Sequence, residues 1–182
     1  MGAGMSGAQA AAFRRLALAA APEAVLAEVL ALNEAVEERT APLDPARLST
    51  LIARASFAEA LVDAQGRVAG FLLGFDQDAT HDSPNFRWFS EHSEDFAYID
   101  RVVVAPWAQG RGVARTLYAD YAARARARGL LRMTCEVNRV PPNPESDAFH
   151  AALGFEELAQ AIPLPGRMVR YLGRPLADWP DP

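Results

Sequence analysis

The chain contains no lysine and only one cysteine, and it has no long apolar run. All 18 basic residues are therefore arginines, and the formal net charge is −5. This acidic balance argues against general affinity for nucleic acids, which requires a basic surface. The single cysteine, Cys135, excludes a disulfide within the chain and is typical of a reducing compartment. Its place in the apolar segment 131–137 favours a buried structural thiol over a nucleophile.

No apolar run is long enough to span a bilayer, so we expect no membrane partner and a cytoplasmic location. A length of 182 residues predicts a single domain, which we place at residues 13–174. Residues 1–12 are uncharged and lack the basic start and apolar core of a signal peptide, so they predict a flexible tail. The proline-rich residues 175–182 predict a second tail. Because the histidines and aspartates of residues 76–95 have no short ligand spacing, we expect no metal site.

The most informative stretch is a strand, a glycine-bearing loop and the start of a helix. Residues 98–104 include Ile99 and three consecutive valines, which predicts a β-strand. Gly110 and Gly112 then allow a tight turn of the backbone. Val113 and Leu117 begin an apolar face with the spacing of a helix. The first turn of a helix has free N–H groups and the positive end of the helix dipole, so this loop is suited to binding a phosphate.

The remaining pattern predicts further strands and helices on both sides of this stretch. Strands are predicted at residues 13–19, 57–62, 68–75, 130–137, 155–159 and 168–172, and helices at 22–38, 45–52 and 146–153. Residues 76–95 show no sustained period, but their aromatic side chains argue against disorder. We interpret this long segment as a folded flap over a pocket.

The glycine loop differs from two well-known phosphate loops. The dinucleotide spacing Gly-x-Gly-x-x-Gly is absent, and a chain without lysine has no Walker loop. The loop does match Gln/Arg-x-x-Gly-x-Gly/Ala, through Gln109, Gly112 and Ala114. This pattern follows a strand that ends in Val-x-Pro and resembles the pyrophosphate-binding loop of the GNAT superfamily of acyl-CoA-dependent N-acyltransferases. The alternative interpretation is an ordinary strand-to-helix turn, in which the glycines serve only the turn itself.

A second stretch, residues 143–155, resembles another feature of the same superfamily. The pattern there is an asparagine, an aromatic pair that usually ends in tyrosine, and Gly-Phe entering a strand. Here these positions hold Asn143, Phe149 with His150, and Gly154 with Phe155. The resemblance implies an α+β (mixed α/β) fold with a mixed, mostly antiparallel sheet of six to seven strands. About four helices would flank this sheet, and strands 4 and 5 would be splayed apart.

The resemblance also implies that acetyl-CoA binds between the splayed strands. A primary amine of a small molecule would attack the thioester directly, through a tetrahedral intermediate and without a covalent enzyme intermediate. The loop amides would hold the pyrophosphate, and the central strand would hold the pantetheine arm. The implied cofactor-binding residues are Val102, Val103, Val104, Gln109, Gly110, Arg111, Gly112, Val113, Ala114, Arg115, Asn143 and Phe149. For Asn143, capping of the following helix is the alternative role.

The chain departs from the superfamily pattern at the tyrosine that commonly protonates the leaving thiolate. His150 holds that position. A protonated imidazole is a competent acid, since the ordinary pKa of histidine is about 6.5. Alternatively, His150 only forms hydrogen bonds or packs, and the proton comes from water, Tyr118 or Tyr121.

A carboxylate is needed to take a proton from the ammonium form of the acceptor. Asp100 lies on the central strand, where alternation predicts that it shares a face with Tyr98 and Val102. Burial beside an apolar gap would raise its pKa, which suits a general base. A salt bridge to Arg101 is the alternative for Asp100. Glu136, on the neighbouring strand, is the alternative base.

The acceptor site is the least determined part of the sequence. By the superfamily pattern, we expect the first helix pair, the flap and the loop before the last strand to contact the acceptor. The candidate residues are Asn33, Glu34, Glu37, Phe86, Trp88, Phe89 and Arg167. Aromatic walls with carboxylates suit an amine that has an apolar part, although these aromatics could equally form the core of the flap. Two other functions remain open, namely acetylation of protein N-termini or lysines and non-catalytic binding of acyl-CoA. The chain could also form a homodimer.

Overall fold

A computed structural model describes residues 13–180 of the chain. The predicted tail at residues 1–12 lies outside the described residues. The strands are β1 (Arg14–Ala17), β2 (Phe57–Val62), β3 (Val68–Asp76), β4 (Phe96–Val104), β5 (Arg132–Val140), β6 (Glu156–Leu164) and β7 (Arg167–Pro175). The α-helices are α1 (Glu23–Glu34), α2 (Pro45–Arg54), α3 (Pro84–His92), α4 (Val113–Ala127) and α5 (Pro144–Ala152).

The seven strands form one mixed sheet in the order β1-β2-β3-β4-β5-β7-β6. Neighbouring strands are antiparallel except β4 and β5, which are parallel. The predicted α+β fold with a mostly antiparallel sheet is therefore confirmed. Five α-helices flank this sheet in residues 13–180, against about four in the prediction, because the flap contains α3.

The two faces of the sheet carry separate apolar cores. Helices α1, α2 and α3 cover one face, and α4 and α5 cover the other. Strand β3 lies between both layers, and all nine of its residues are buried. Gly74 lets α4 approach this strand closely, since a Cβ atom here would clash with the Tyr121 ring. At Gly70, a Cβ atom would lie 2.7 Å from Val113. The backbone of β3 therefore packs directly against α4.

Strands β4 and β5 pair over only three positions. The parallel pairs are Phe96 with Arg132, Ala97 with Met133 and Tyr98 with Thr134. Beyond them, β4 continues to pair with β3 and β5 with β7, but not with each other. The predicted splay is thus confirmed, and it opens a gap at the centre of the sheet.

A β-bulge in β4 changes the predicted alternation of side chains. Arg101 pairs with Leu73 and Ile99 pairs with Gly74, so Asp100 is an extra residue without a partner in β3. Tyr98 packs in the core on the α1 side, whereas Val102 packs against the core on the α4 side. The prediction that Tyr98 and Val102 share a face is therefore wrong, because the bulge shifts the alternation by one residue.

Three segment boundaries also differ from the prediction. The first helix ends at Glu34 rather than near residue 38, and β6 continues to Leu164 through a proline. After β7, Leu176 and Trp179 are buried, so the described part of the predicted tail at 175–182 packs against the domain. Within residues 13–180, none of the helices combines the length and apolar character needed to cross a membrane.

Candidate active site

The gap between the splayed strands opens into a cleft of about 990 Å³. One end is lined by the loop before α4 and by the start of that helix. The middle is lined by the diverging parts of β4 and β5 and by α5. The other end lies under residues 39–42, residues 81–85 and the β6–β7 turn. We call these two ends the loop end and the roofed end.

At the loop end, the start of α4 is open to a ligand. Gly112 is the N-cap of α4 and makes no side-chain capping bond, whereas Asp44, Ser83 and Asn143 cap α2, α3 and α5. Gly110 and Gly112 have φ values of 72° and 79°, a conformation that favours glycine. A Cβ atom on either glycine would meet nothing within 4 Å, so the space beside the loop is free. The uncapped N–H groups, together with Arg115, fit a diphosphate.

Eleven of the twelve predicted cofactor residues line the cleft. They are Val102, Val103, Val104, Gln109, Gly110, Gly112, Val113, Ala114, Arg115, Asn143 and Phe149. Arg111 is the exception, because its guanidinium lies 4.7 Å from the centre of the Phe13 ring and outside the cleft. Asn143 also caps α5 by accepting a hydrogen bond of 3.3 Å from the Ser146 amide.

Glu136 presents a carboxyl group at the middle of the cleft. Its Oε2 atom accepts a hydrogen bond of 2.9 Å from the Tyr98 hydroxyl, and its Oε1 atom accepts one of 2.9 Å from Nδ2 of Asn85. Burial and the nearby charge of Asp100 raise the pKa of Glu136 to about 8, although these two hydrogen bonds act to lower it. A carboxyl group with a pKa near neutrality is suited to accepting and releasing a proton.

Asp100 also lines the cleft, but it forms an ion pair with Arg101 and contacts His81. Its Oδ2 atom lies 2.7 Å from Nε of Arg101, and its Oδ1 atom lies 3.0 Å from Nε2 of His81. Burial acts to raise the pKa of Asp100, but His81 and Arg101 outweigh it and hold the pKa below its ordinary value. The expected raised pKa is therefore wrong, and the alternative of a salt bridge to Arg101 describes this residue.

The partner His81 was not recognised from the sequence. Its Nδ1 atom accepts a hydrogen bond of 3.0 Å from the Ser83 amide, so the ring proton lies on Nε2, which is 3.0 Å from Oδ1 of Asp100. Nineteen positions separate His81 from Asp100 in the chain, and no local spacing indicates such a contact.

His150 is buried and hydrogen-bonded at both ring nitrogens. Its Nδ1 atom lies 2.7 Å from the Ser146 carbonyl oxygen, which only accepts, so Nδ1 carries a proton. Burial lowers the pKa of His150, although the Ser146 carbonyl acts to raise it. The imidazole is therefore neutral near pH 7, and Nε2 accepts a hydrogen bond of 2.9 Å from the Tyr118 hydroxyl. This arrangement does not supply the protonated imidazole that the acid role of His150 requires.

Of the two tyrosines considered as proton donors, only Tyr118 lines the cleft. Burial raises its pKa well above the ordinary value, so the hydroxyl is neutral near pH 7. Tyr121 lies elsewhere, within hydrogen-bond distance of Ser56 and Asp76. Cys135 also borders the cleft, where burial raises the pKa of its thiol and leaves it protonated.

Of the expected acceptor residues, Arg167 lines the cleft, whereas the helix and aromatic candidates lie outside it. Phe86 and Phe89 are buried in the core between the flap and the sheet, and Trp88 stacks on Tyr171 at 4.3 Å. Asn33 is buried and accepts a hydrogen bond of 2.9 Å from Arg101, while Glu34 points to solvent. The flap instead reaches the cleft through residues 81–85, which precede and begin α3. The aromatics thus form the core of the flap, the alternative that the sequence left open.

The roofed end is held together by bonds between separate segments. Arg167, after the β6–β7 turn, donates hydrogen bonds of 3.0 Å and 3.3 Å to the carbonyls of Thr40 and Glu38. Arg39 pairs with Glu145 of α5 at 3.0 Å. Arg47 of α2 forms an ion pair with Asp82 of the flap. These bonds link the α1–α2 connection and α2 to the other segments that surround this end of the cleft.

Comparisons with known proteins place this architecture among acetyltransferases. A profile of the Acetyltransferase (GNAT) family matches residues 26–155. No curated protein sequence matches the chain. Among solved structures, Ard1 from Thermoplasma volcanium is 18% identical, with a TM-score of 0.68, over 92% of this chain and 98% of that one.

Two further structures share the fold. The ribosomal-protein-S18-alanine N-acetyltransferase from Escherichia coli is 17% identical, with a TM-score of 0.63, over 91% of this chain and 94% of that one. A GNAT superfamily phosphinothricin acetyltransferase from Sinorhizobium meliloti, in complex with AcCoA, is 21% identical, with a TM-score of 0.64, over 92% of this chain and 89% of that one. At these identities the similarity establishes the fold alone.

Proposed function

The chain belongs to the GNAT family of acetyltransferases, and we propose that it transfers the acetyl group of acetyl-CoA to a primary amine of a small molecule. Acetyl-CoA supplies the activated acetyl group as a thioester. In this proposal, the loop end binds the diphosphate through the α4 amides and Arg115. The exposed edge of β4, at Val102 and Val104, offers backbone groups to the pantetheine arm. Because acetyl-CoA would occupy the loop end and the edge of β4, the acceptor would bind at the roofed end.

Glu136 is our candidate for the general base. The amine must lose a proton, and Glu136 is the carboxyl group of the cleft whose pKa, about 8, lies close to neutral pH. The hydrogen bonds from Tyr98 and Asn85 fix both of its oxygens in position. In contrast, Asp100 is engaged by the Arg101 guanidinium and by Nε2 of His81, and its lowered pKa makes it a weak base.

Tyr118 is our candidate for the proton donor to the leaving sulfur. The imidazole of His150 is neutral, and its only N–H bonds to the Ser146 carbonyl, so it has no proton directed into the cleft. Nε2 of His150 accepts from Tyr118 and thereby positions the phenol oxygen. In this scheme His150 is a positioning residue. As the carbon–sulfur bond breaks, the Tyr118 O–H turns from Nε2 of His150 to the sulfur and gives up its proton, which water then replaces.

The roof over the cleft is the observation that favours a small acceptor over a protein. The bonds from Arg167 to the Thr40 carbonyl and from Arg39 to Glu145 cross between elements above the roofed end. A protein terminus or lysine would need an open groove along this surface. The acceptor end is instead bordered by chain segments on several sides.

A direct test is to measure CoA release from acetyl-CoA with a panel of small primary amines and a panel of peptides that present a free N-terminus or a lysine. We expect turnover with small amines. Turnover with peptides alone would identify a protein acetyltransferase. Binding of acetyl-CoA without turnover of any acceptor would favour a non-catalytic acyl-CoA-binding module.

A further inference from the structure

The charges at the roofed end are balanced except at one position. Four arginines line this end, namely Arg39, Arg47, Arg101 and Arg167. The first three have carboxylate partners: Glu145 at 3.0 Å, Asp82, and Asp100 at 2.7 Å. In the part of the chain that the structure describes, Arg167 has no carboxylate within ion-pair distance. Its hydrogen-bond partners there are the two neutral carbonyls of Thr40 and Glu38.

Those two carbonyls hold the Arg167 guanidinium in place without neutralising it. Each accepts from a different terminal nitrogen, so the planar group is fixed in orientation and retains other N–H groups. A fixed guanidinium with free donors matches the geometry of a carboxylate. The only other arginine that lines the cleft without a carboxylate partner among the described residues is Arg115, at the opposite, diphosphate end.

Strand geometry places Arg167 and Glu136 on one wall of the cleft. Tyr171 pairs with Glu136 across β5 and β7, and Arg167 lies four residues further along β7. Val169 and Tyr171 share the core on the α1–α3 side, and alternation puts Arg167 on that same side. The two strand positions are roughly 13 Å apart at about 3.3 Å per residue, a distance that the two side chains and a small molecule between them can span. One small molecule can contact both.

We propose that the acceptor carries a carboxylate in addition to its amine, with Arg167 binding the carboxylate while the amine faces Glu136. This inference rests on the proposed function and names its substrate class, that of an amino acid or a related amino carboxylate. A single unpaired arginine suits a singly charged carboxylate better than a doubly charged phosphate, which would need more positive charge. The carboxylate would complete the charge balance of the roofed end.

The test compares amines that differ only by a carboxylate. Suitable pairs are phenylalanine with 2-phenylethylamine, methionine with 3-(methylthio)propylamine, and 4-aminobutyrate with propylamine. The ratio of kcat/KM within each pair is measured for the wild type and for Arg167→Gln, so that the intrinsic reactivity of each amine cancels. We expect the ratio to fall about 10- to 100-fold in the variant, with the neutral amine little affected. Arg167→Lys, which keeps the charge, should restore much of the preference.

Arg39→Gln is the matched control, because it removes an arginine of the same end that already has a carboxylate partner. Its ratio should stay close to that of the wild type. If Arg167→Gln folds poorly, inhibition of the wild type by 3-phenylpropionate, which has a carboxylate but no amine, gives a second measurement. We expect this inhibition to be competitive with the amine.

An unchanged ratio in a folded Arg167→Gln variant, or no competition by 3-phenylpropionate, would overturn the carboxylate proposal while leaving the acetyltransferase function intact. A lack of CoA release with every amine, charged or neutral, would instead reject the proposed function itself. The two failures are therefore distinguishable in the same set of assays.

Discussion

Asp100 and Glu136 lie on the two diverging strands, each two residues beyond the last parallel pair, Tyr98 with Thr134. The splay thus separates two carboxyl groups that affect each other's ionisation. The charge of Asp100, together with burial, raises the pKa of Glu136 to about 8. His81 and Arg101 keep Asp100 ionised against the effect of its own burial. One carboxylate is therefore fixed as an anion, and the other is set near neutral pH.

Replacement of Glu136 by glutamine should lower kcat by about 100-fold or more, since it removes a general base. Acetyl-CoA affinity should stay near the wild-type value, because the diphosphate is held at the other end of the cleft. The wild-type rate should rise with pH up to about 8, where Glu136 becomes ionised. Steady-state kinetics from pH 6 to 9 and calorimetric titration with acetyl-CoA check these expectations. A variant that keeps the wild-type kcat would exclude Glu136 as the base.

The same residue should make stability depend on pH. The pKa of Glu136 is raised from 4.5 to about 8 by folding, so the folded state holds this proton more tightly than the unfolded state. The contribution of protonated Glu136 to the stability of the folded state is fully present below pH 4.5 and is lost as pH rises through about 8. Glu136→Gln cannot ionise, so its melting temperature relative to wild type should be higher at pH 9 than at pH 5. Equal differences at both values would contradict the raised pKa.

Asp100→Asn should move the acidic limb of the pH–rate profile to lower pH. The variant removes a negative charge that helps to raise the pKa of Glu136. It also leaves Arg101 without its carboxylate, so the melting temperature must be measured in parallel. Glu145→Gln is the control, because Glu145 is an exposed acid at the cleft mouth whose partner is Arg39. A profile that does not move in Asp100→Asn would mean that the two carboxyl groups are not coupled.

Tyr118→Phe should lower kcat by about 10- to 100-fold if its hydroxyl donates the proton to sulfur. His150→Ala should have a smaller effect, because His150 acts through the phenol, and the double variant should be no slower than Tyr118→Phe. Tyr121→Phe is the control, since its hydroxyl bonds to Ser56 and Asp76, away from the cleft. If His150→Ala is the slower of the two single variants, the proton-donor role belongs to His150.

Gly112→Trp should abolish acetyl-CoA binding by filling the space in front of the α4 amides. Gly66→Trp is a close control, because both glycines have a positive φ, 79° and 83°, and open space at the Cβ position. The control lies in the β2–β3 turn, so it imposes similar backbone strain at a different place. Calorimetric titration should show binding in the control alone. Retained affinity for acetyl-CoA in folded Gly112→Trp would mean that the diphosphate binds in another part of the cleft.

The strand, loop and helix around Gly112 were predictable because their signals are local. A valine-rich strand, two glycines and an apolar helical face specify this unit without reference to the rest of the chain. The splay of β4 and β5 was obtained only through the resemblance to a known superfamily. Helix α3 was missed because it has nine residues and only two buried positions, Phe86 and Phe89, too few to show a period.

The roles of the polar site residues depended on contacts that no local pattern contains. The bulge at Asp100 arises from pairing with β3, and it reverses the expected face of Val102. His81 reaches Asp100 from the flap, and Ser146 fixes the tautomer of His150. Sequence reasoning named Asp100, Glu136 and His150 as candidates, but their proton affinities follow from these neighbours.

The glycine contacts between β3 and α4 have a consequence for engineering. Because Gly70 and Gly74 have no side chains, Val113 and Tyr121 of α4 pack directly on the backbone of β3. A methyl group added at either glycine would clash with Val113 or with the Tyr121 ring. Directed evolution toward other acyl carriers should therefore retain both glycines. Libraries aimed at new amines can instead vary the connections above the opposite end, where loops absorb insertions and exchanges at little cost to folding.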